Sequence, residues 1–200
     1  MVGWPKSDIL FSENVDSIKE EMIQRFNLEG RKTVLFSGSG VHLAIDYWMK
    51  RDEKTFNAWK SLRELIKRCD VNILIKPHDG GSPYVVPESY KAPRMIWTNP
   101  KVHGNIMPFF FVADVLVSNS FSSVPYEFLL MDKPIIFYED GSFAEEVGIV
   151  STNVGGDVEK ALDGVDSFKD KRKKWLQKLI YKPDGHASER AVDAILEMVG

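Results

Sequence analysis

"VADVLVSNSFSSVPYEFLLMDKPIIFY", residues 112–138, decides the fold. It contains two short apolar runs, "DVLVS" (114–118) and "PIIFY" (134–138). Neither run alternates polar with apolar residues, which is how strands read when helices cover both faces of a parallel sheet. The segment between them has the marks of a helix over 123–132. Pro125 suits the first turn, where the amide it lacks would have no intrahelical partner. Ser122 or Ser123 suits the N-cap. The stretch therefore reads as strand, helix, strand, the unit from which parallel sheets are built.

The same alternation extends in both directions. Upstream lie "TVLFS" (33–37), "VNILIKP" (71–77) and "RMIWT" (94–98), and downstream lies the weaker "GIVST" (148–152). Helical patterns separate them. Over 53–68, Phe56, Trp59, Leu62, Leu65 and Ile66 form one apolar stripe. Further helices are expected over 105–113, 157–163, 167–181 and 187–199. This order predicts an α/β fold: a doubly wound, mostly parallel, Rossmann-like sheet of about six strands with helices on both faces. Residues 1–30 are expected to form an entry segment and linker helix, and 31–200 a single domain. The loop "HDGGSPYVVPESYKAP" (78–93) holds three prolines and is long for a crossover, a common property of functional loops.

Composition narrows the function. The formal net charge of the 200 residues is −3, so no whole-surface basic field points to a nucleic-acid partner. The single cysteine, Cys69, rules out a disulfide within the chain and suits a reducing, cytoplasmic setting. No apolar run reaches the roughly 20 residues needed to span a bilayer, and no signal-peptide pattern opens the chain. The basic segment 168–182 carries Phe168, Trp175, Leu176, Leu179 and Ile180. It can pack that stripe on the core with its lysines solvated, or touch an acidic membrane surface. His42, His78, His103 and His186 show neither HxxxH spacing nor a cysteine cluster, so no metal or other cofactor is expected.

In a doubly wound sheet, ligands bind beyond the carboxyl ends of the strands. Those ends carry "SGSGVH", "KPHDGG", "NPKVHGN", "SNSFSS" and "EDGSF". The hydroxyls of Ser122 and Ser123, with the free amides of a helix start, can either cap the helix or cradle an anion. His78 can donate to a phosphate oxygen or make a local hydrogen bond, and strand parity puts Lys76 on the same face. Ser37, Gly38, Ser39 and Gly40 fit a tight turn or a close backbone approach to a phosphate or acceptor. They lack the GK[ST] of a Walker loop and do not satisfy GxGxxG. Glu127 can accept from a ribose diol or simply face the helix dipole. There is no G-x-S-x-G elbow, and no residue stands out as a general base.

With these stretches in view, the chain resembles the CDP-glycerol glycerophosphotransferase family, the teichoic-acid-type primases and polymerases. The likeness rests on "VADVLVSNSFSSVPYEFLLMDKPIIFY", "NILIKPH", "VGWPKSDILF" and "PDGHASERAVDAI", which run in the family's order. It implies the C-terminal, donor-binding half of a GT-B fold and a nucleotide-diphosphate donor such as CDP-glycerol. His78, Ser122 and Ser123 would hold the donor's phosphates, and Glu127 the ribose. The base would lie near Asn99, His103 and Asn105. No metal is implied. The likeness also implies an acceptor-binding domain or subunit, which carries the catalytic base and is missing from these 200 residues. "SGSGVH" departs from the Pro-Thr-x-Arg-like segment usual in the family. Two other readings stay open. One is a UDP-N-acetylglucosamine 2-epimerase-like enzyme, although "SFSSVPYEF" replaces the usual Ser-Gly-Gly-x-x-Glu-Glu run. The other is a non-catalytic nucleotide-binding module.

Overall fold

In the computed structural model, the apolar runs become six strands. These are β1 (Lys32–His42), β2 (Val71–His78), β3 (Met95–Trp97), β4 (Val115–Ser118), β5 (Ile135–Phe137) and β6 (Ile149–Val150). The structure describes residues 3–42, 52–78, 86–99, 101–179 and 182–199, and within 38–42 only the backbone. Every strand pairing is parallel, and the spatial order is β3-β2-β1-β4-β5-β6. The α/β, Rossmann-like doubly wound sheet expected from the sequence is therefore present. The order reverses between β1 and β4, which makes that crevice the topological switch point.

Successive strand residues point to opposite faces, so continuous apolar runs fill two cores at once. On one face, Val34, Phe36, Ile73, Ile75, Val115, Val117 and Ile136 pack under α2 (Glu53–Arg68) and α6 (Val154–Leu162). On the other, Leu35, Leu74, Leu116, Ile135 and Phe137 meet α1 (Val15–Phe26), α3 (Met107–Val112), α4 (Val124–Phe128) and α5 (Ser142–Val147). The chain closes with α7 (Lys169–Leu179) and α8 (Ala187–Val199).

Three details differ from the sequence reading. The helix expected over 123–132 is α4 followed by a 3-10 turn at Leu129–Met131, which ends at Asp132 in a left-handed conformation (φ 50°). The left-handed Asp132 closes that turn, and Pro134 just beyond keeps Lys133 from resuming the helix. The stretch "EDGSF" reads in the sequence as a strand-end loop. It leads into α5, whose six residues are too few to show a period. At "SGSGVH" the backbone does not turn after Ser37 but stays extended to His42, with a break in register against β2 between those residues. The side chains of Ser39 and His42, and residues 79–85 of the long proline-bearing loop, lie outside the description.

The basic segment resolves toward packing. Trp175 and Leu176 lie against the second core, and Trp175 Nε1 donates to Glu146 at 2.7 Å. Among the described residues, no helix is long and apolar enough to cross a membrane.

Candidate functional site

Four strands deliver polar residues to the carboxyl edge around the switch point. Ser37 is buried on β1, and its Oγ donates to the Lys76 carbonyl on β2 at 3.0 Å. That bond ties the two strand ends together. Two residues on, β2 ends at His78, an exposed side chain at the rim. Lys76 is buried, and its Nζ donates to the Pro77 carbonyl at 3.3 Å. Beyond β4, Ser118 and Asn119 are buried, and the chain then rises through Ser120 to the start of α4.

At that start the two serines divide their roles. Ser122 is buried, and its Oγ accepts from the Val124 amide at 3.2 Å. Its proton remains available to donate, because the cap uses only an oxygen lone pair. Ser123 is the N-cap by backbone position, yet its side chain makes no capping bond and is exposed. One serine therefore shapes the turn while the other presents a hydroxyl.

These groups line one cavity of about 360 Å³. Ser37, Lys76, His78, Ser122 and Ser123 share its wall with Gly104 and Ile106, from the segment before α3. Lys6, on the N-terminal 3-10 turn Pro5–Phe11, completes it. The cavity wall thus gathers two lysine side chains, an imidazole and three serine hydroxyls. Lys6 had no local signal in the sequence apart from its place in "VGWPKSD". Lys76 was signalled by its parity with His78.

The other candidates sit differently. The Asn99 side chain accepts from the Lys101 amide at 3.0 Å, which shapes a turn. Asn105, one residue ahead of the N-cap Ile106, accepts from the Met107 amide at 3.0 Å, the first amide of α3. The His103 ring contacts the Asn99 carbonyl and packs edge-on against Phe26 with centroids 5.3 Å apart. The structure thus brings Gly104 and Ile106 to the cavity rather than these three side chains. Glu127 lies one turn into α4 with its side chain only 8% exposed. Its Oε1 is 3.6 Å from Lys6 Nζ, and its Oε2 has no hydrogen-bond partner. The Thr98 and Ser118 hydroxyls, at the carboxyl ends of β3 and β4, are also buried without a partner.

A doubly wound parallel sheet with a polar, cation-bearing cavity at its switch point defines a Rossmann-like α/β domain. The sequence model of the CDP-glycerol:poly(glycerophosphate) glycerophosphotransferases matches residues 1–142, and the chain belongs to that family. The teichoic acid ribitol-phosphate polymerase TarK of Staphylococcus aureus is 28% identical over 213 residues, covering 95% of this chain and 39% of TarK. The structure of the wall teichoic acid polymerase TagF superposes with a TM-score of 0.67 at 19% identity, over all of this chain and 52% of TagF. A Listeria monocytogenes protein assigned to the UDP-N-acetylglucosamine 2-epimerases superposes with a TM-score of 0.53 at 17% identity, over 92% of this chain and 52% of that one. The last two likenesses establish the shared GT-B-type fold. The chain spans about half the length of the solved relatives and less of TarK.

Proposed function

We propose that this domain binds the nucleotide-diphosphate donor of a glycerophosphotransferase, CDP-glycerol or a related CDP-linked polyol. One observation carries the reading: Ser122, Ser123, His78, Ser37 and Lys76 converge on one cavity at the switch point. These five come from three separate stretches of chain, and local structure alone does not require them to meet. Family membership supports the donor class.

In this reading the donor's phosphates lie against Ser122, Ser123 and His78. The flank at Gly104 and Ile106 receives the nucleoside, and the segment Asn99 to Asn105 frames the base through its backbone. Glu127 lies outside the cavity's lining with its free oxygen sealed from solvent, so it contributes no direct contact to the ribose in this reading. Transfer breaks the bridging P–O bond and joins the glycerol-bearing phosphorus to an acceptor hydroxyl. The nucleoside monophosphate leaves, and its growing negative charge falls on the hydroxyls, the imidazole and Lys76. Preorganised groups of this kind stabilise developing charge without a metal ion. The acceptor's proton goes to a base in an acceptor-binding domain or subunit, which also brings the acceptor. Residues 31–200 act as the donor domain, with 1–30 as the segment leading into it.

The test is equilibrium titration with CDP-glycerol, CDP, UDP and UDP-N-acetylglucosamine. Saturable binding of the cytidine compounds, lost in Ser122→Ala/Ser123→Ala, is the expected result. Absence of binding by all four at millimolar concentration overturns the proposal, and preference for the uridine compounds moves the reading to the epimerase-like class.

A further inference from the structure

Lys6 has not been given a role by the donor-site reading, and its surroundings suggest one. It stands on the turn Pro5–Phe11, far in sequence from the strands that build the cavity, yet it lines that cavity. Two contacts hold the turn. Asp8 accepts from the Ala187 amide at 3.0 Å and the Ser188 amide at 2.7 Å, so it caps α8 from outside that helix. Ser7 is buried and donates to the Trp4 carbonyl at 2.6 Å. The two ends of the described chain thus join to place one ammonium at the rim.

The partner of that ammonium is unusual. Most exposed ion pairs contribute little and hold neither member firmly. Here Lys6 is two-thirds exposed (66%) but Glu127 is nearly sealed (8%). A buried carboxylate needs close donors, because desolvation penalises its charge. Among the described residues, Glu127 has one cation at 3.6 Å, too far for a hydrogen bond, and an oxygen with no partner. The Glu127 carboxylate therefore draws on the same Lys6 ammonium that lines the cavity, and that ammonium can turn on its four-carbon stem toward either anion.

We infer that Lys6 is a phosphate-binding residue of the donor site, with the buried Glu127 carboxylate as its resident counter-ion. The inference rests on the donor-site reading. It adds that an incoming diphosphate shares the Lys6 ammonium with Glu127, so affinity depends on both residues together.

The experiment titrates wild type, Lys6→Met, Lys6→Arg, Glu127→Gln and the Lys6→Met/Glu127→Gln double variant with CDP and with inorganic pyrophosphate, which has no ribose. Thermal melts accompany each variant. Lys6→Met should weaken both ligands about tenfold, and Lys6→Arg should restore most of the loss. Glu127→Gln should tighten pyrophosphate about threefold in the wild-type background and much less once Lys6 is gone. Lys6→Met binding pyrophosphate like wild type overturns the inference while the donor site stands. Equal effects of Glu127→Gln in both backgrounds also overturn it. If wild type binds neither ligand, the donor-site reading fails, and the inference falls with it. If Lys6→Met does not fold, Lys6→Arg and the Glu127→Gln response to pyrophosphate still decide the matter.

Discussion

The two ends of the sheet are built on opposite plans. At the amino edge, charged residues neutralise one another across strands. Arg31 and Arg94 both reach Asp70, each at 2.7 Å. Lys32 pairs with Asp114, whose other oxygen accepts from the Thr33 amide at 2.8 Å. Lys133 donates to the Phe110 and Ala113 carbonyls. Fully buried Arg172 bonds Asp166 and lies 3.9 Å from Asp132, just before β5. A second cavity of about 200 Å³ lies at this edge, but its Asp114 and Lys133 are already engaged. At the carboxyl edge, hydroxyls of Thr98 and Ser118 and an oxygen of Glu127 are buried without partners, and Ser123 faces out. The difference teaches where stability and binding reside: the amino edge closes its charges into ion pairs, although Asp132 Oδ1 and Arg172 Nε stay buried without a hydrogen bond, and the carboxyl edge leaves hydroxyls and a carboxylate oxygen unpartnered beside a larger cavity.

Variants at each edge should therefore separate the two properties. Arg172→Ala has the largest expected effect. It leaves the Asp166 carboxylate without its buried counter-ion and should cost about 3–5 kcal/mol of stability. Urea denaturation measures the loss, and the protein that remains folded should bind CDP normally. Ser122→Ala/Ser123→Ala should do the reverse, with nucleotide binding weakened by about 1–3 kcal/mol beyond any change in the melting midpoint. Asp114→Asn, which keeps the shape but removes the charge at the β1–β4 junction, should lower stability by about 1 kcal/mol and leave titration with CDP unchanged.

A pH series sharpens the same contrast. Burial pushes the Asp166 carboxyl up, but the hydrogen bond and charge of Arg172 outweigh it and hold the group below its ordinary value. The Arg31 hydrogen bond holds Asp70 below its ordinary value as well. A carboxyl depressed in the folded state contributes stability above its unfolded pKa, and that contribution fades as pH falls through the folded one. Urea midpoints should therefore drop as pH is lowered through and below the ordinary carboxylate range, less steeply in Arg172→Ala than in wild type. The smallest expected effect is from chelation. Because the proposed site uses side chains and amides in place of a metal, EDTA should leave CDP affinity unchanged.

How much of this could be read in the sequence differs between fold and site. The strands were legible because the runs are short, rich in β-branched residues and set between helical patterns, which favours strand over buried helix, and α2 was legible from its stripe. The missed α5 and the shortened α4 are short elements whose limits depend on tertiary neighbours and on Pro134. At the site, His78, Ser122 and Ser123 were legible because each follows a strand and strand ends share an edge. Lys6 was not, since its place depends on the Asp8 contact with α8 near the far end of the chain. Asn99, His103 and Asn105 looked suited to a ligand. Their local turn, ring packing and helix-start bond show the same side chains satisfying neighbouring backbone, which sequence cannot distinguish from ligand binding.

The most direct test of the central claim is amide chemical-shift mapping of the 200-residue chain during CDP titration. The account predicts saturable shifts at Ser37, His78, Ser122, Ser123 and Gly104, with Arg31, Thr33 and Asp114 unmoved. Shifts centred on the amino edge, or none at either edge at millimolar CDP, would contradict it.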